Sequence, residues 1–175
     1  IWDQAPMYGL HDDAALGAGV RAWKDDFAFL EPGAIISYSN PGYWLAGLLV
    51  EELGGKPYAD QVAESVFRPL AMTRSTFRPT MAMTYPLSQG HNVGASGQPE
   101  VVRPIADNAA SWPAGSMYSS VVELARFAIA FLNEGKIESK QALSPAVVAR
   151  LSAPQADIPG EERKYGYGLT VGRTR

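Results

Sequence analysis

Ser37-Tyr38-Ser39-Asn40-Pro41-Gly42-Tyr43 is the stretch on which the reading of this chain turns. A short β-prone run, residues 34–38, breaks there into an apolar helix and leaves a phenol and an amide at the corner. Asn40 followed by Pro41 is a strong helix-start signal. Asn accepts a bond from the free amides of the first turn, and proline early in a helix loses no hydrogen bond. Downstream, Ala46, Leu49, Val50 and Leu53 share one face, with Leu45 and Leu48 beside it. So wide an apolar surface predicts a helix buried on more than one side. Gly54-Gly55 closes it, as residues free to adopt positive φ do.

Upstream, Leu16, Val20, Trp23, Phe27 and Leu30 recur at helical spacing and predict a helix over residues 11–29. Asp12 or Asp13 is available as its cap, and Glu31-Pro32-Gly33 ends it. A further helix is expected from Tyr58 to Phe67, with Val62 and Val66 inward, stopping before Pro69. Residues 68–118 change character. Prolines punctuate β-prone pieces at 75–77, 89–93 and 100–103, and Gly94-Ala95-Ser96-Gly97 reads as a hairpin turn. Loops of that length in a compact domain usually line a site.

Ser120-Val121-Val122-Glu123 reads as a capping box, with Ser120 and Glu123 satisfying each other's amides. Leu124, Phe127, Ala128 and Phe131 form an apolar stripe behind it, and Gly135 ends that helix. Ser144-Pro145 opens a short helix through Leu151, again as cap plus proline. Residues 165–171 alternate as a strand with nothing left to pair with. Trp44, Phe127 and Phe131 are assigned to the core, and Trp112 reads as a buried anchor for its loop more readily than as a cleft residue.

The bulk numbers bound the function classes. The chain has 175 residues, 46% apolar and 19% charged, which fits one soluble domain over residues 1–175. A net charge of -3 without a basic run argues against nucleic acid or an anionic membrane as the main partner. Without cysteine there is no disulfide, thiolate catalysis or zinc-thiolate site. No apolar run is long enough to span a bilayer. Both ends read as cut, since Ile1-Trp2 opens on bulky apolar residues and Arg175 follows directly on the strand-like 165–171.

Several chemistries compete for the polar residues. His11 and His91 are the only histidines, and pairing one with an Asp and with Ser39 or Ser119 is conceivable, but no Gly-x-Ser-x-Gly elbow supports it. His11-Asp12-Asp13 does not converge on one ion as consecutive residues, so no metal site is expected. Neither Ser-x-x-Lys nor Lys-Thr-Gly occurs in the chain.

With those residues placed, the chain resembles the serine β-lactamase and penicillin-binding-protein superfamily. It is most similar to the branch of class C β-lactamases, D-alanyl-D-alanine carboxypeptidases and related esterases. Three blocks carry the resemblance: residues 32–54 around Tyr38-Ser39-Asn40, residues 58–77 with Pro69-Leu70-Ala71-Met72-Thr73, and Pro113-Ala114-Gly115-Ser116-Met117-Tyr118-Ser119-Ser120 leading into Leu124-Ala125-Arg126-Phe127. A weaker match lies at 165–169. The order and spacing of the blocks are more specific than any one of them. Ala71 and Ser116 depart from the pattern at positions where the family commonly has Gly.

The resemblance implies an α+β fold, of which this chain is the central, mainly helical lobe with a few short strands. The family's Ser-x-x-Lys would lie upstream and its Lys-Thr-Gly or His-x-Gly strand downstream. It also implies hydrolysis of a β-lactam, D-amino peptide or ester through a Ser acyl-enzyme, without a cofactor. Tyr38 would be the catalytic proton shuttle, once lysine ammonium groups of the absent motifs favour its phenolate. Asn40 would hold a substrate amide carbonyl, a role that competes with capping the helix. Gly115 would line the substrate cleft, although the bland reading of Pro113-Ala114-Gly115 is a helix lead-in. The partner is then a small-molecule or peptide substrate, and an extracytoplasmic bacterial location is implied. The piece alone is expected to be inactive, and to aggregate or dimerise through the face that would meet the rest of the fold. Two non-enzymatic alternatives stand: a pseudoenzyme that binds peptidoglycan-like peptides, and a free-standing helical interaction domain.

Overall fold

The structure is a computed structural model that describes residues 10–23, 30–31, 33–103 and 107–172. Its organising element is α2, Asn40–Gly54, capped by Ser39 and not by Asn40. Ser39 is extended (φ -141°, ψ 101°), and its Oγ accepts the Gly42 amide at 3.1 Å. A side chain one position earlier reaches that third amide, while Pro41 has none to satisfy. Asn40 is thus the first helical residue. At the other end Gly55 takes the left-handed conformation (φ 63°) that ends the helix, as the Gly54-Gly55 pair announces.

α2 buries Pro41, Trp44, Gly47 and Leu48. It packs on α1, Ala15–Arg21, and on a 3-10 helix, Ala109–Ala114. Gly47 sets the approach, because a Cβ there would lie 2.2 Å from Pro113 Cγ and 3.3 Å from Leu16 Cδ2. The face expected to be buried as well, Ala46, Leu49, Val50 and Leu53, is exposed, and Leu45 with it. Periodicity reports how much of a helix is apolar. It does not report which part finds a partner within these residues.

The expected first helix is shorter than its periodicity. α1 stops at Arg21, its cap position Ala14 makes no side-chain cap bond, and Asp12 instead accepts the Ala14 amide at 3.0 Å ahead of the helix. Trp23 lies beyond it, its ring 6.3 Å from that of Trp44. Phe27 falls outside the described residues, and Leu30 is exposed. Asp13 joins Asp60 in clasping Arg78, whose Nη1 donates to Asp60 at 2.7 Å and whose Nη2 donates to Asp13 at 2.9 Å. The run at 34–38 forms no ladder among the described residues, and Ile35 and Ile36 are about half exposed.

The main core gathers around Phe67, Leu70, Met72, Phe77 and Trp112, with Tyr58, Val62 and Val66 packed against it. Phe77 stands between Tyr58, Phe67 and Trp112, at ring distances of 5.2, 5.9 and 6.3 Å. α3, Tyr58–Val62, widens into a π-helical turn, Ala63–Phe67, as it nears Pro69, whose ring crowds the carbonyl four residues back. The insert then holds a short helix α4, Pro79–Ala82, and the expected hairpin, β1 (His91–Val93) against β2 (Pro99–Val101), with Gly97 at φ 77° in its turn.

α5, Val121–Leu132, keeps one half of its capping box. Ser120 Oγ accepts the Glu123 amide at 3.3 Å. The Glu123 carboxylate, 7% exposed, turns away to accept the Arg74 amide at 2.9 Å and the Ser75 hydroxyl at 2.6 Å. The stripe behind it is not core. Glu123 and Ala130 are the buried residues of this helix, Phe131 is half-buried, and Leu124 and Phe127 are exposed. The chain continues through the hairpin β3 (Lys136–Ile137) and β4 (Lys140–Gln141) to α6, Pro145–Ser152, where Ser144 occupies the cap position without a side-chain bond. Residues 165–171 do not form one unpaired strand. β6, Lys164–Tyr165, turns back through Gly166 and Gly168 into β7, Thr170–Val171, and pairs on its other edge with β5, Ala156–Asp157.

Two substitutions test this packing. Gly47→Ala gains helix propensity but forces a Cβ into Pro113, and should lower stability by about 1–2 kcal/mol net in urea unfolding. Ala71 sits at φ 52°, the left-handed region that costs an L-residue about 1 kcal/mol. Ala71→Gly should therefore raise the unfolding midpoint.

Candidate active site

Tyr38 stands 86% exposed, two residues before the start of α2 and immediately before its capping serine. Asn40 opens the helix, partly buried. The cap and the amide are thus two different side chains. Gly115 follows the 3-10 helix in an extended conformation (φ 173°, ψ -157°) that any residue can adopt, and a Cβ there would meet nothing within 4 Å. The glycine-favouring position is the next one, Ser116 at φ 64°. Pro113 rests on Gly47, seven residues beyond Asn40 and so about 10 Å further along the helix axis. The Gly115 loop therefore leaves the 3-10 helix beside the same helix whose start carries Tyr38 and Asn40.

A second phenol, given no role in the sequence reading, lies at this corner. Tyr43 Oη is 3.1 Å from Tyr165 Oη, and a Cβ on Gly168 would come within 3.3 Å of the same oxygen. The β6–β7 turn is therefore seated on the first turns of α2. The hydrogen bond to Tyr165, then burial, then the neighbouring Tyr165 and Tyr38 phenols push the Tyr43 pKa up to about 12. That shift keeps Tyr43 protonated through the physiological range, as a neutral donor or acceptor. Tyr38 is the most exposed phenol of the group. Lys56 and Lys164 are paired with Glu64 and Asp157.

The competing polar arrangements resolve differently. His11 Nδ1 bonds Asp107 at 2.8 Å, and His91 Nδ1 contacts its neighbour Gln89 O at 2.9 Å. Ser39 Oγ caps α2, and Ser119 Oγ lies 2.8 Å from Ser75 Oγ. Trp112 is buried, its indole donating to Asp107 at 3.2 Å, which makes it a loop anchor. Among the described residues, no group of three or more His, Asp or Glu side chains could hold a metal ion. No described helix is long and apolar enough to cross a membrane.

The resemblance implies the beta-lactamase family, and comparison with known proteins shows it. The family model described as Beta-lactamase matches residues 2–175. The chain belongs to the beta-lactamase family. This is a family of serine hydrolases whose members include penicillin-binding proteins and D-amino acid amidases. A human beta-lactamase-like protein is 32% identical over 138 residues, covering 78% of this chain and 26% of its own length. The penicillin-binding protein from Bacillus halodurans superposes with a TM-score of 0.71 at 21% identity, over 97% of this chain and 49% of that one. The D-amino acid amidase from Ochrobactrum anthropi, solved with L-phenylalanine amide, gives a TM-score of 0.58 at 26% identity, over 82% of this chain and 42% of that one. The chain spans between 26% and 32% of the length of the curated relatives it matches first. Both the family and the mainly helical α+β architecture agree with the sequence reading.

The Tyr43–Tyr165 bond has a pH signature. A phenol whose folded pKa is raised from about 10 to about 12 binds its proton more tightly when folded. Its contribution is fully present below pH ~10 and is lost as pH rises toward ~12. Burial raises Tyr58 and Tyr118 as well, so they act in the same direction. Urea unfolding at pH 8 and pH 11 should show wild type losing stability at the higher pH, and Tyr43→Phe losing less.

Proposed function

We propose that this lobe supplies the proton relay and substrate-amide contact of a serine acyl hydrolase acting on a β-lactam, D-amino peptide or ester. The carrying observation is the corner itself, where Ser39 takes the helix cap and Tyr38 projects beside it, 86% exposed. In this reading the serine nucleophile comes from outside residues 1–175, attacks the carbonyl, and passes through an acyl-enzyme to water. Tyr38 Oη carries the proton between the nucleophile and the leaving group, with cations from the rest of the protein favouring its phenolate. The Asn40 side-chain amide donates to the substrate carbonyl, and the Gly115 loop forms one wall of the cleft. Tyr43, held by Tyr165, keeps the corner in place without titrating.

The D-amino acid amidase and penicillin-binding-protein likenesses support an amide or β-lactam over a simple ester. The 175-residue chain has no Ser-x-x-Lys, so it should show no acylation by a fluorescent penicillin or a fluorophosphonate probe. In the full-length protein, Tyr38→Phe should lower kcat by about 10²-fold or more, the scale of general acid–base catalysis, with little change in KM. Steady-state kinetics on D-phenylalanine amide and nitrocefin measure this. Unchanged turnover on both substrates would remove Tyr38 from the relay.

A further inference from the structure

A cavity of about 400 Å³ opens behind the loop that follows α4, away from the Tyr38 corner in sequence and lined by other residues. Met83, Tyr85 and Leu87 give it an apolar wall. Gln89, Asp107 and Tyr118 are the polar groups that reach it. Among the described residues of this lining Asp107 is the only carboxylate, and it is 8% exposed. Its two oxygens are fixed, Oδ1 by the Trp112 indole at 3.2 Å and Oδ2 by His11 Nδ1 at 2.8 Å. Each carboxylate oxygen accepts up to two bonds, so both retain accepting capacity. Burial and the Asp107 charge raise the Tyr118 phenol, which therefore remains protonated at the cavity wall. Arg74 lies over the Tyr85 ring, 4.9 Å from its centroid, so this ring already receives a cation without that cation lining the cavity.

An open, largely apolar cleft of ligand size with one anchored carboxylate selects by charge. An anion meets the fixed charge of Asp107 and is repelled. A neutral ligand gains the walls only. An ammonium group can pair with the Asp107 carboxylate, and the Tyr118 phenol oxygen and the Gln89 amide oxygen line the same cleft as further acceptors. We infer that this cavity binds a primary ammonium group carried on a short apolar or aromatic body, with Asp107 as the charge partner and the Met83–Tyr85–Leu87 wall taking the body. The site does not depend on the acyl-hydrolase reading, since no nucleophile takes part and the isolated chain contains every residue named.

The test uses the 175-residue chain and benzylamine, followed by amide and indole NMR shifts at Asp107, Tyr118 and Trp112. Saturable binding is expected in the ~millimolar range usual for a ligand this small, with benzyl alcohol and phenylacetate about tenfold weaker or worse. Asp107→Asn keeps an acceptor for the Trp112 indole and removes the charge, and should weaken benzylamine about tenfold while leaving the alcohol unchanged. Met83→Trp fills the mouth from an exposed position without touching Asp107, and should abolish saturation even if Asp107→Asn proves poorly folded in a thermal melt. Equal affinity for amine and alcohol, binding that survives Met83→Trp, or shifts that never saturate would each overturn the assignment.

Discussion

The crossing of α2 over the 3-10 helix depends on one missing methyl group. Gly47 lets Pro113 approach so closely that any side chain would strike the ring. Everything of functional interest is referenced to that contact. The start of α2 fixes Tyr38, Asn40 and Tyr43. The end of the 3-10 helix fixes Gly115. Trp112, next to Pro113, fixes Asp107 and through it His11. A shift of α2 against the 3-10 helix would therefore move both the phenol corner and the ammonium cavity.

The elements that sequence described well were those whose signals are local. Gly55 with its left-handed backbone, the hairpin turn at Gly97 and the helix that stops before Pro69 all follow from residues touching their own neighbours. The corner was legible for the same reason, although its cap fell on Ser39 instead of Asn40 because two adjacent polar side chains can each reach a first-turn amide. Errors came where the partner is distant. The Glu123 carboxylate abandons its own helix for residues 74 and 75. Tyr165 meets Tyr43 across 122 positions, and His11 meets Asp107 across 96. No periodicity encodes such meetings. One signal was present and went unused: Gly166 and Gly168 inside an alternating run mark a tight reversal, not a continuous strand.

The apolar faces that did not become core tell a consistent story. Leu45, Leu49, Val50 and Leu53 on α2, and Val121, Val122, Leu124 and Leu132 on α5, are exposed in this chain. Each helix is amphipathic in composition but buries only the side that meets residues present here. A chain spanning about a third or less of its curated relatives is expected to carry such unfilled surface. Helix breadth read from sequence thus reports composition, while burial reports which partners a helix meets.

The buried carboxylate of Glu123 has a kinetic side. Its bonds to residues 74 and 75 span 49 and 48 positions, so they close a large loop before they stabilise the first turn of α5. That loop contains the proline-punctuated insert, the hairpin and the 3-10 helix. Closing a loop of this length carries an entropic cost that a local cap bond does not. The first turn of α5 thus rests on a non-local contact, the kind that slows folding relative to the local helices around it.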